Sequence, residues 1–169
     1  MKTASVIHEI PPVYDKNSKV LILGSFPSVK SRESQFFYGH PQNRFWRVLS
    51  EIFWDTLPVT MEEKKRFLIK HHVAVWDVIA QCTITGSSDS SIRDVTVNDI
   101  GFLLEQTEIQ QIYCNGATAY QLYHKYCEPL LGRSAAKLPS TSPANAGWGL
   151  ERLVEAWSCI KEGQEDLLH

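Results

Sequence analysis

Four short apolar segments, each followed by a polar loop and then by helical spacing, constrain this chain more than anything else in it. They are Val20-Leu21-Ile22-Leu23, Val73-Ala74-Val75, Gln111-Ile112-Tyr113-Cys114 and the weaker Ala136-Lys137-Leu138. Runs of this length and composition read as strands. Between them, residues 45–53 set Phe45, Val48, Leu49 and Ile52 on one stripe, and a second helix starts at Thr60, where Thr60 and Glu63 have the capping-box spacing, and runs to about His71. Helical spacing resumes near Asn98 with Ile100, Leu103 and Leu104 inward, then across 118–126, and finally over roughly 150–160 with Leu153, Trp157 and Ile160 apolar. The stretch from Trp76-Asp77 through Gly86-Ser87-Ser88-Asp89 reads as a loop rich in Thr, Ser, Gly and Asp. Strands alternating with helices imply an α/β domain whose mostly parallel sheet is covered on both faces.

Such a topology delivers the loops after each strand to one rim, which is where open α/β sheets place their sites. The loops in question carry Gly24-Ser25-Phe26-Pro27-Ser28 together with Asn43, then Trp76-Asp77, Asn115-Gly116, and the run from Ser140 to Asn145. The first is long and holds hydroxyls, a stiffening proline, His40, aromatics, and the cations Lys30, Arg32, Arg44 and Arg47. Small polar groups, aromatics and cations together suit a base, a sugar and phosphates.

With 169 residues, of which 43% are hydrophobic and 21% charged, one well-buried domain is expected, with its core over about 20–160. The N-terminus lacks an apolar signal core and no run of 18 apolar residues occurs, so neither secretion nor a membrane span is supported and an intracellular, cytoplasmic, monomeric protein is expected. The net charge of −2 hides an asymmetry. Lys16, Lys19, Lys30, Arg32, Arg44 and Arg47 face a single acid, Glu33, in that span, whereas Glu151, Glu155, Glu162, Glu165 and Asp166 crowd the end of the chain. A modest basic face can contact phosphates without tight non-specific binding. Cys82, Cys114, Cys127 and Cys159 stand 32, 13 and 32 residues apart, with no C-x-x-C pair, so no metal, no disulfide and no cofactor are expected. His71-His72 reads as a helix end rather than a ligand pair.

Five segments stand in order along the chain: Leu23-Gly24-Ser25-Phe26-Pro27-Ser28, Tyr38-Gly39-His40-Pro41-Gln42-Asn43-Arg44-Phe45-Trp46, Trp76-Asp77-Val78-Ile79, Asn115-Gly116 and Ser140-Thr141-Ser142-Pro143-Ala144-Asn145. Together they resemble the uracil-DNA glycosylase superfamily, most closely its family 6 branch, the hypoxanthine-DNA glycosylases. The Asn43-Arg44-Phe45-Trp46 piece is also similar to one in the mismatch-specific uracil/thymine glycosylases. This resemblance implies a three-layer α/β/α sandwich around a four-stranded parallel sheet, and hydrolysis of the N-glycosidic bond of deaminated bases, hypoxanthine first and uracil second, in DNA. Where many members carry an acid or amide in the first segment, this chain has Ser25, Phe26 and Ser28, and the resemblance transfers the water-positioning role to Asn43. The last segment lacks the histidine and bulky wedge of other branches.

Each demand of that chemistry has a residue that can meet it. Asn43 can hold a water through its amide without acting as a strong base, or can close its own loop. Asn115 resembles the base-reading asparagine: one amide offers a donor and an acceptor to the C=O and N–H edge that hypoxanthine and uracil share, although Asn-Gly is also a common turn. Phe26 can stack on the base, with Phe36, Phe37 or Tyr38 as further walls, while Phe45 and Trp46 belong to the core. His40 can donate to a phosphate or to the departing base, or only close the loop. Ser25, Ser28, Ser140, Ser142, Asn145 and Arg44 suit phosphates. Asp77, the one acid in these motifs, can act as a general base or cap the next turn. A serine hydrolase is disfavoured, since G-x-S-x-G is absent. A non-catalytic nucleotide-binding module on the same fold is the competing reading.

Overall fold

The computed structural model describes residues 3–7, 10–26, 36–85 and 93–161. Its centre is a four-stranded parallel sheet made of β2 (Val20–Gly24), β3 (Val73–Asp77), β6 (Gln111–Asn115) and β7 (Ala136–Leu138), in the order β3-β2-β6-β7. All three pairings are parallel, with Val20 beside Val73, Leu23 beside Cys114 and Asn115 beside Leu138. From β2 the chain first crosses to β3 on one side, and β6 later joins on the other. The sheet therefore has a switch point between the carboxyl ends of β2 and β6.

Alternation along the strands divides the core in two. Val20, Ile22, Val73, Val75, Tyr113 and Leu138 pack with α1 (Phe45–Phe53), α2 (Met61–Lys70) and α6 (Leu150–Trp157), through Phe45, Trp46, Leu49, Phe67, Leu153 and Trp157. On the opposite face Leu21, Leu23, Ala74, Ile112 and Cys114 meet α3 (Ile100–Glu105) and α4 (Ala117–Tyr126) through Ile100, Leu103, Ala119 and Tyr123. A short α5 (Glu128–Leu131) follows α4. This is the three-layer α/β/α arrangement that the resemblance implied, and Phe45 and Trp46 are core residues, 0% and 5% exposed.

Local signals were obeyed where they were strongest. Thr60 Oγ1 accepts the Glu63 N–H at 3.1 Å while Glu63 Oε1 accepts the Thr60 N–H at 2.9 Å, closing the capping box at the start of α2. Asp99 likewise accepts the Phe102 N–H at 3.1 Å and opens α3. The largest departure from the sequence reading is a second sheet. The expected loop after Asp77 begins with β4 (Ile79–Thr85), which pairs antiparallel with β1 (Thr3–Ile7) and β5 (Arg93–Val97) in a separate three-stranded sheet. Threonine counts toward a loop by polarity, yet its β-branch suits it to strands, and Ile79-Ala80-Gln81-Cys82-Thr83-Ile84-Thr85 is rich in such residues.

Candidate active site

At the carboxyl rim, Asp77 and Gly24 are register partners, and Asn115 follows Cys114 beside Gly24. The three residues end their strands on the face that carries Ile22, Val75 and Tyr113, so two polar side chains flank a residue with none. The gap is used. A Cβ built on Gly24 would collide with Asp77 Oδ1 and come within 3.2 Å of the Tyr38 hydroxyl. Tyr38 reaches that position from a left-handed backbone conformation, φ 51°, with its ring stacked on Phe45 at 4.0 Å between centroids. Its hydroxyl is buried, and no partner among the described residues meets hydrogen-bond geometry. Burial, and next the charge of Asp77, push the Tyr38 phenol well above its ordinary pKa, an effect that the nearby Asn115 amide partly offsets. Asp77 is itself 4% exposed.

Asn43 sits just before α1, and its Oδ1 accepts the Phe45 N–H at 2.9 Å and the Thr141 hydroxyl at 2.8 Å. The loop-closing contact is therefore present, but so is a link to a loop 98 residues away. With both lone pairs of the oxygen occupied, the NH₂ is the part of the amide left to hold a water. Asn115 donates from Nδ2 to Thr141 Oγ1 at 3.0 Å and accepts the Thr141 N–H at 3.1 Å, so one N–H and one lone pair remain on its amide.

The other expected residues divide. Arg44, expected on phosphates, is directed inward. Its guanidinium donates to the carbonyls of Ser142 at 2.9 Å and Asn145 at 3.1 Å, to that of Trp148, and through Nε to Thr141 at 3.4 Å. It pins the Ser-Pro loop to the start of α1. His40 accepts the Gln42 N–H on Nδ1 at 3.0 Å, which leaves Nε2 as the proton-bearing nitrogen of the neutral ring. Phe26, 9% exposed, packs with the cluster on the far side of the sheet rather than beside Tyr38. Ser25 lies at the rim, where its carbonyl accepts the Ile79 N–H at 3.0 Å. Ser28, with Lys30, Arg32 and Asp89, lies outside the described residues.

Residues 11–161 match the family model of the uracil DNA glycosylase superfamily. The chain belongs to the uracil DNA glycosylase superfamily. It is 37% identical over 155 residues to a protein of Methanosarcina acetivorans named hypoxanthine DNA glycosylase, covering 89% of this chain and 94% of the relative. A protein of the same name from Methanosarcina barkeri is 31% identical over 140 residues, or 80% and 85% of the two chains. The fold matches the solution NMR structure of a provisionally named uracil DNA glycosylase from Methanosarcina acetivorans, with a TM-score of 0.77, 33% identity, and 89% and 93% of the chains covered.

In this superfamily member the Ser-Pro loop borders a groove of about 570 Å³ beside the first turn of α4, lined by Gly116, Lys137, Ser140, Ser142, Asn145 and Trp148. Ser140 Oγ accepts the Ser142 N–H and Ser142 Oγ accepts the Ala144 N–H, both at 3.1 Å, while Asn145 Nδ2 donates to the Ser140 carbonyl at 3.0 Å. The hydroxyls thus brace their own loop, and each keeps a hydrogen to donate. Sequence reasoning missed Lys137 and Thr141. Lys137 was read only as part of a strand, although alternation in β7 turns it away from the face of Ala136 and Leu138. Thr141, 0% exposed, was passed over between the two serines.

Among the described residues no group of three or more His, Cys, Asp or Glu converges as metal ligands would, and no helix is long and apolar enough to cross a membrane. The Cys114 and Cys127 thiols are pushed up to about 12 and about 11, chiefly by burial.

Proposed function

We propose that this glycosylase hydrolyses the N-glycosidic bond of hypoxanthine, and of uracil, in DNA. The observation that carries the reading is the rim itself: Asn115, Gly24 and Asp77 in one row at the switch point, with Asn43 joined to Asn115 through Thr141. A flipped base enters against Tyr38. The remaining N–H of Asn115 donates to O6 of hypoxanthine or O4 of uracil, and its remaining lone pair accepts the adjacent ring N–H. Adenine and cytosine present the reverse order and would leave buried groups unpaired, at about 1–3 kcal/mol each.

The C1′–N bond breaks with its electron pair going to the base, and water forms the new C1′–O bond. The water's proton ends on the departing ring nitrogen, so atoms and charge balance. Asn43 fixes the water by donating to its oxygen, leaving the second lone pair aimed at C1′. Positioning suffices because the oxocarbenium-like sugar is a strong electrophile. Lys137 and the hydroxyls of Ser140 and Ser142 hold phosphates along the groove, with Asn145 bracing that loop. Arg44 organises it from behind.

The test is a duplex carrying one hypoxanthine, incubated with the protein in EDTA and then treated with alkali. Strand cleavage at the hypoxanthine is expected, and a parallel uracil duplex should be cleaved as well. Bound but uncleaved hypoxanthine DNA would leave a binding module and overturn the enzymatic reading.

A further inference from the structure

The hydrogen bonds around Thr141 have a direction that can be assigned without seeing a proton. The Phe45 N–H can only donate, so the Asn43 atom it meets at 2.9 Å is the amide oxygen. That oxygen can only accept, so the Thr141 hydroxyl at 2.8 Å gives it its single hydrogen. Thr141 Oγ1 must then accept from its neighbour at 3.0 Å, which makes that neighbour the Asn115 NH₂. The other Asn115 atom becomes the oxygen, and the Thr141 N–H at 3.1 Å agrees. Two backbone N–H groups, of Phe45 and Thr141, therefore set the orientation of both side-chain amides.

Resting on the roles just given to the two asparagines, we propose that Thr141 is a positioning residue that locks both amides, so that the water-holding and base-reading groups work as one unit. Thr141 is suited to this because it cannot drift. Its side chain is fully buried, and its carbonyl accepts both the Arg44 N–H at 3.1 Å and Nε–H at 3.4 Å. Losing the hydroxyl would leave the Asn43 amide held by the Phe45 N–H alone and would leave one Asn115 N–H without its acceptor beside the buried Thr141 side chain. Hydrogen bonds in such chains polarise and order one another, so removing the middle member affects both ends.

Thr141→Val keeps the shape and removes the hydroxyl, whereas Thr141→Ser keeps the hydroxyl. In single-turnover release of hypoxanthine, Thr141→Val should be about ten- to a hundredfold slower with DNA affinity within about threefold, and Thr141→Ser should recover most of the rate. Added to Asn43→Ala, Thr141→Val should cost several-fold less than it costs in the wild type, because one of the two amides it holds is already gone. Independently of activity, Thr141→Val in the free protein should shift the side-chain amide resonances of both Asn43 and Asn115 in a ¹⁵N spectrum. The proposal is overturned if only one of those resonances moves, or neither does, or if the losses in the double variant multiply in full. A wild-type protein that releases no base would instead remove the functional reading, while the amide resonances still decide the coupling.

Discussion

The two ends of the parallel sheet both carry polar clusters, and they are built on opposite plans. At the amino end, Asp55 Oδ2 pairs with His71 Nε2 at 2.8 Å and with Lys70 Nζ at 3.1 Å, the His71 ring stacks on Phe53 at 4.4 Å, and Lys19 meets Glu108 at 2.8 Å. Each of these charges has found its counterpart inside the molecule. At the carboxyl end, the Tyr38 hydroxyl and Trp76 Nε1 are buried without a partner that meets hydrogen-bond geometry among the described residues, and the Asn43 oxygen has both lone pairs engaged while its NH₂ is not. An unpaired buried polar group costs about 1–3 kcal/mol. A cluster that closes on itself holds the fold together, whereas donors left unused among the described residues are available to a ligand.

If that contrast is right, the largest effect of a single substitution should come from Asn43→Ala. Release of hypoxanthine in a single turnover should fall a hundredfold or more while DNA binding stays within about threefold, since a positioned group is lost and no phosphate contact is. Near-normal rates would direct attention to Asp77 or His40. Asn115→Asp should have the next largest effect. It exchanges the NH₂ for a second acceptor, facing a lactam oxygen with an oxygen and also leaving Thr141 Oγ1 without its donor. Loss of about tenfold to a hundredfold is expected on hypoxanthine and uracil alike, and a large difference between the two would show that the base is read elsewhere.

The smallest effect belongs to the amino end and should appear in stability alone. Hydrogen bonds from His71 first, and then Lys70, hold the Asp55 carboxyl at a pKa of about 2 against an ordinary 3.8. A folded-state pKa below the unfolded one means that this contribution is complete above about pH 4 and disappears as pH falls through 2. Asp55→Asn should therefore melt lower than the wild type near pH 6, with the gap closing toward pH 2, and should excise hypoxanthine at the wild-type rate. A gap independent of pH, or a loss of activity, would blur the distinction between the two ends.

Much of this could be read from the chain because the signals were local. Short apolar runs located the four parallel strands, helical periodicity located α1, and the Thr60/Glu63 spacing located the start of α2. The rim residues Asp77, Asn115 and Asn43 were legible because they terminate strands or precede a helix. What escaped depended on distant partners. Arg44 turns inward because four carbonyls of a loop about 100 residues away converge on it, and no local pattern shows that. Thr141 looked like one hydroxyl among several until burial and two asparagines gave it a direction. Strand β4 was hidden by threonines whose polarity suggested a loop, and without it the partners β1 and β5 had nothing to pair with.

Whether the carboxyl rim reads a lactam edge through Asn115 is decided by single-turnover base release from two duplexes that differ only in carrying hypoxanthine or adenine at one position, opposite the same base. Hypoxanthine should be released at least a hundredfold faster than adenine, since the reversed edge leaves two buried groups unpaired. Equal rates for the two purines, or release of neither, would contradict it.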